Sequence, residues 1–61
     1  MTQTIYRPGN LVPVSGIYKV VDLFGVSVGR QVTCEEHEAF PPTVHAGEYG
    51  FVLLQQTVHQ G

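Results

Sequence analysis

Ile17-Tyr18-Lys19-Val20-Val21-Asp22 is the stretch that decides the fold. It follows a glycine and is dominated by β-branched and aromatic residues, the composition of a strand bounded by turn residues. Side chains alternate along a strand, so Ile17, Lys19 and Val21 share one side while Tyr18, Val20 and Asp22 share the other. Neither side is purely polar, and both faces are therefore expected to meet protein.

Immediately downstream, residues 25–35 follow a period of two. Val26, Val28, Val32 and Cys34 fall on one face, Ser27, Gln31, Thr33 and Glu35 on the other, and Arg30 alone breaks the pattern. A half-buried antiparallel strand produces such an alternation. The hairpin turn joining it to the first strand falls at Asp22-Leu23-Phe24-Gly25 or near Val28-Gly29-Arg30, and the alternation favours the first. Glu35-Glu36-His37-Glu38 then reads as a solvated strand end or turn, because like charges avoid burial. Phe40-Pro41-Pro42-Thr43 is a stiff polyproline-like piece whose Phe40 is free to anchor in the core.

Upstream, Tyr6-Arg7-Pro8-Gly9-Asn10 is turn chemistry: proline presets φ, and Gly or Asn accepts a positive φ. Residues 11–15 are expected to be extended, with Pro13 confining them to an edge or to coil lying across the sheet. The last strand, Tyr49-Gly50-Phe51-Val52-Leu53-Leu54, is apolar on both faces. Such a strand is either central or an interface, since an exposed hydrophobic strand templates pairing with another chain. Tyr49, Phe51, Val52, Leu53 and Leu54, together with Tyr18, are accordingly the expected interface residues.

Four prolines and seven glycines leave no stretch with a helical apolar period between breakers. The expectation is an all-β protein, a small antiparallel sheet or SH3-like partial barrel of about three to five short strands. It forms a single domain over residues 1–61, with residues 1–10 and 56–61 as candidates for loose tails.

Composition sharpens this. Charged residues are only 13% of the chain and mean hydropathy is +0.06, which excludes disorder driven by charge. At this size, burial contributes ~90 kcal/mol against ~90 kcal/mol for ordering the chain, so the two terms nearly cancel. Small scaffolds leave that balance through disulfides, a metal or self-association. The single cysteine, Cys34, excludes an intrachain disulfide. Three cations, Arg7, Lys19 and Arg30, face five carboxylates, too few and too scattered for nucleic-acid binding. The N-terminal residues lack the basic start and apolar core of a signal peptide, and no apolar run approaches the ~20 residues that span a bilayer. A cytoplasmic protein without membrane contact is expected.

The positions Arg7-Pro8-Gly9, Pro13, Ser15-Gly16-Ile17-Tyr18, Gly29-Arg30, Glu38, Phe40-Pro41-Pro42-Thr43, Gly47, Tyr49 and Leu53 run in an order found elsewhere. In that succession the chain resembles the YjzC-like family of small bacterial proteins. The resemblance implies a small bacterial protein, with no activity assigned to the family and nothing catalytic. Cys34, His37 and His45 lie outside the shared pattern.

Two constellations invite chemical readings. Gly25-Val26-Ser27-Val28-Gly29 matches G-x-S-x-G, but that motif acts on a strained strand-to-helix turn within a much larger α/β sheet. An ordinary strand with its serine facing outward is the expectation, and the chain is not expected to be an enzyme. Cys34, His37 and His45, with His59 as a possible fourth, offer zinc donors. Their spacing is not that of a zinc finger, and Cys34 falls on the apolar face of its strand. No cofactor is the leading expectation, and a zinc module built on these residues is the alternative. The six aromatic residues are assigned mainly to core and interface, with Tyr6 and Tyr18 left as surface contacts. The resulting expectation is a non-catalytic β interaction protein that forms a homo-oligomer, docks on a larger protein partner, or both, through a β edge and an aromatic patch.

Overall fold

The computed structural model describes residues 3–57. It is an all-β structure with three strands, β1 (Gly16–Val21), β2 (Ser27–Cys34) and β3 (Gly50–Gln56). They form one antiparallel sheet in the order β2-β1-β3. The strand that decided the sequence reading is thus central, and both of its faces are covered: Tyr18 and Val20 are buried on one, Val21 on the other. The loops expected to turn do so. Residues 7–10 close with the Asn10 N–H donating to the Arg7 carbonyl at 3.0 Å, and the Asn10 side chain accepts the Arg7 N–H at 2.9 Å.

The core lies on one face of the sheet. Tyr18 and Val20 of β1, Phe51 of β3 and Cys34 of β2 pack beneath Val12 and Phe40, with Tyr6 and Val32 at the margin. Phe40 is the pivot of this layer. Its ring stacks on Phe51 at 5.1 Å and on Tyr6 at 5.3 Å between centroids, while Tyr18 meets it edge-on at 5.0 Å. Offset and edge-on pairs suit the aromatic quadrupole and each add ~1 kcal/mol to the burial itself. The Tyr18 hydroxyl donates to the Val14 carbonyl at 2.6 Å, so its polar tip is satisfied within the chain.

Two irregular segments hold Val12 and Phe40 over the sheet by bonding to each other. Gly9 N–H donates to the Phe40 carbonyl (3.0 Å), Phe40 N–H to Asn10 (2.8 Å), Val12 N–H to Glu38 (2.7 Å) and His37 N–H to Val12 (2.9 Å). Residues 11–15 are therefore coil crossing the sheet rather than an extended run, with only Leu11 in a bridge, to Ala39. Pro41 and Pro42 beside Phe40, and Pro8 in the turn, reduce the backbone freedom these two segments lose on folding.

Residues 5–10, expected as part of a loose tail, are bonded into the fold. Tyr6 and Phe51 exchange two backbone hydrogen bonds of 2.8 Å along the outer edge of β3. Gly50 permits that approach, since a Cβ there would lie 2.5 Å from the Tyr6 carbonyl oxygen and 2.6 Å from Ile5 Cγ2. This contact explains how β3 begins with three buried residues in a single chain. At the other end Thr57 N–H donates to the Ser15 carbonyl at 2.9 Å. The remaining tail positions, residues 1–2 and 58–61, lie outside the described residues, and His59 with them.

Candidate functional site

Among the described residues, the β1–β2 hairpin carries four of the exposed large apolar side chains, Leu23, Phe24, Val26 and Val28. Its turn is built on Asp22, whose Oδ1 accepts the N–H groups of Phe24 and Val26, both at 2.9 Å. The backbone closes the loop with Asp22 N–H donating to Val26 (2.9 Å) and Gly25 N–H donating to Asp22 (3.0 Å). An Asx turn of this kind fixes the two residues at its tip, and they point outward: Leu23 is 61% and Phe24 85% exposed. The turn is at residues 22–25, the position the alternation favoured.

Beyond the tip, Val26 is 60% and Val28 43% exposed, whereas Cys34, at an alternate position of the same strand, is 7% exposed. A half-buried strand with Val26, Val28, Val32 and Cys34 on one face is the sequence expectation, and the structure corrects it at the hairpin end, where Val26 and Val28 are exposed. Val12 and Phe40 pack in one cluster with Cys34, with Val32 against it, and neither Val26 nor Val28 belongs to that cluster. Residues 23–29 carry no charged side chain. With ~150 to 200 Å² for each large apolar side chain, the exposed parts of Leu23, Phe24, Val26 and Val28 sum to on the order of 400 Å² of apolar surface.

β2 is also an edge of the sheet, and its pairing with β1 is irregular. Lys19 pairs with Gln31 but Val21 with Ser27, so β2 carries extra residues between them. Gly29 absorbs the bulge at φ 90°, a conformation glycine adopts without Cβ strain, and the Ser27 hydroxyl accepts the Gly29 N–H at 3.2 Å. The Val28-Gly29-Arg30 segment that offered an alternative turn is this bulge. The G-x-S-x-G match spans the end of the hairpin turn and the start of β2, and Ser27 is exposed on the strand.

Charges at the base of the hairpin are engaged. Arg30 donates from Nε to Glu48 Oε2 at 2.8 Å and from Nη2 to Oε1 at 3.0 Å. Glu48 Oε1 also accepts the N–H groups of Val44 (3.0 Å) and His45 (3.3 Å), which ties residues 44–48 to β2. Arg30 and these two amides hold the Glu48 carboxyl down at about 2, and the carboxylate in turn raises the Arg30 pKa. Arg7 is occupied elsewhere, its guanidinium 3.8 Å above the Tyr49 ring and its Nε donating to the Tyr49 carbonyl at 3.0 Å.

The expected interface residues divide. Tyr18, Phe51 and Val52 are buried within the single chain, Tyr49 is half-buried beneath Arg7, and Leu53 and Leu54 are exposed. Tyr6 and Tyr18, left as surface contacts by the sequence reading, belong to the core layer and its margin. The zinc candidates are spread apart in role. Cys34 is in the core, and burial, with Glu38 nearby, raises its thiol pKa. His37 sits in the turn after β2 at φ 73°, largely exposed, with Nε2 3.6 Å from Glu36 Oε2. His45 is exposed in the loop before β3. Among the described residues no three His, Cys, Asp or Glu side chains gather where they could hold a metal ion. Sequence reasoning missed Leu23 and Phe24 as surface residues. The signal was present in an aromatic placed inside the favoured turn and in the uncharged run that follows it.

Fold and surface together define a small all-β protein, a three-stranded antiparallel sheet with one bare apolar hairpin. No helix among the described residues is long and apolar enough to cross a membrane. Comparison of the chain with protein-family models, with curated proteins and with solved structures finds no match.

Proposed function

We propose that this chain is a small, non-catalytic β interaction protein that self-associates and offers the same apolar surface to a protein partner. The observation that carries this reading is the run of exposed side chains on the β1–β2 hairpin, with Phe24 85% exposed at its tip. A folded chain holds a phenyl ring in water at a cost of ~2 kcal/mol relative to burying it, so a surface that covers the ring gains most of that energy. The two exposed leucines of β3, Leu53 and Leu54, add a smaller apolar area on another strand.

Sedimentation equilibrium of the full chain from micromolar to millimolar concentration tests the reading. A molar mass that rises with concentration supports it. A folded monomer across the whole range contradicts self-association.

A further inference from the structure

We propose that residues 41–48 are a strap latched to the sheet by the Arg30–Glu48 pair, and that acid releases the strap while the three strands and the aromatic core stay formed. Where the strap is tied, and where it is not, carries this.

Both of its ends are clamped. Phe40 N–H donates to the Asn10 carbonyl at 2.8 Å and Phe40 itself lies in the core, while Tyr49 N–H donates to the Val21 carbonyl at 2.8 Å. Between these clamps the strap adds no side chain to the core cluster, and Pro42 and residues 44–47 are exposed. Among the described residues its hydrogen bonds stay inside the strap, from Glu48 N–H to the His45 carbonyl and from the Val44 and His45 amides to Glu48 Oε1, with one exception. The exception is the fork of Arg30 on the Glu48 carboxylate. The strap is thus joined to the sheet at one point. A segment with so little buried apolar surface opens at a lower cost than the sheet beside it.

The latch also folds the strap. The carboxylate that takes Arg30 takes the two amides as well, so losing it removes the external tie and the internal cap in a single event. Gly47, at φ 91° with open space where a Cβ would stand, supplies a free pivot ahead of Glu48, and Pro41-Pro42 keep the other stem stiff.

Protons act on this one point. Arg30 reaches the carboxylate from β2, and His45, within the strap, gives it a backbone amide while lying exposed; among the described residues no group of β1 or β3 bonds it. The latched carboxyl is held down at about 2, whereas a carboxyl released from Arg30 returns to its ordinary 4.5, so proton uptake favours the open strap as the pH falls below about 4.5. Opening leaves the guanidinium without its carboxylate, directly after the uncharged residues 23–29, and so changes the charge that β2 presents there.

Native-state amide exchange of the full chain, followed by NMR in low urea and expressed as protection factors, tests the strap. At pH 6 the Val44, His45 and Glu48 amides should be at least about tenfold less protected than the Phe40 and Tyr49 amides at the clamps. Their exchange should depend little on urea, because a local opening exposes little surface. Moving to pH 3 should lower strap protection a further tenfold or so in the unsubstituted chain and leave it nearly unchanged in Glu48→Gln. Arg30→Gln should lower it at pH 6 without touching the strap's own sequence. Strap and clamp amides with equal protection and equal urea slopes mean that the chain opens only as a whole, and they overturn the strap. Strap protection that ignores pH in the unsubstituted chain, or that survives Arg30→Gln, overturns the latch.

Discussion

Arg30 on β2 and Glu48 ahead of β3 face each other through two charge-assisted hydrogen bonds of 2.8 and 3.0 Å, and the same carboxylate caps the amides of Val44 and His45. One side chain thus anchors the whole loop that leads into β3. Removing it by Glu48→Ala leaves a guanidinium and two amides without their acceptor, and the Tm should fall by about 5 °C or more. Thermal melts followed by circular dichroism measure this, and an unchanged Tm would show that the loop holds without its anchor.

The same group sets an acid limit. The Glu48 carboxyl is held at about 2 in the folded chain against an ordinary 4.5, so folding is favoured by its ionised form. Its contribution is complete above the ordinary value and is lost as the pH falls from about 4.5 toward 2. Denaturant titrations should show the unsubstituted chain losing stability across that window and Glu48→Gln losing less. Parallel losses in the two proteins would mean that other carboxylates govern acid unfolding.

Tyr18 offers a cleaner measurement. Its ring is fully buried and its hydroxyl reaches the Val14 carbonyl at 2.6 Å, and burial raises its pKa above the ordinary value. Tyr18→Phe keeps the edge-on ring contact with Phe40 and deletes only the hydrogen bond. The expected cost is about 1 kcal/mol in urea denaturation. A variant as stable as the parent would show that the carbonyl finds water instead.

Gly50 tests the edge of the sheet. An alanine Cβ would sit 2.5 Å from the Tyr6 carbonyl oxygen, a backbone atom that cannot swing away. Gly50→Ala should therefore part Tyr6 from Phe51, lower stability by about 2 kcal/mol or more and speed amide exchange at both residues. Slow exchange at Tyr6 in the variant would show that the edge pairing tolerates a side chain there.

Much of this arrangement was legible in the residues. The β-branched run after Gly16 became the central strand, the turn fell at Asp22-Leu23-Phe24-Gly25, and Phe40 anchored the core as its proline-flanked position suggested. What eluded the sequence was coverage. Alternation marks which side chains share a face, but how far that face is covered depends on the reach of residues distant in the chain, here Val12 and Phe40. For the same reason Val26 and Val28 are bare, while Phe51 and Val52, expected at an interface, are buried within the single chain, with the Tyr6 segment paired beside β3. Gly29 was ambiguous because turn and bulge make the same demand for a positive φ.

Cys34 reports on the core directly. Burial first, and Glu38 second, push its thiol up from the ordinary value of 9.0, so little thiolate exists at neutral pH. Labelling by an aromatic disulfide reagent should proceed only as fast as the chain opens, and a chelator should leave both the labelling rate and the Tm unchanged. Rapid labelling of the native chain, or a Tm lowered by the chelator, would contradict a buried structural thiol.

A dilution series of amide ¹H–¹⁵N spectra tests, residue by residue, the proposed meeting of two copies at the bare hairpin. Concentration-dependent shifts should concentrate at residues 23–28, with Gln55 and Gln56 at the far end of β3 nearly unmoved. Shifts confined to residues 53–56, or spectra identical at every concentration, would contradict it.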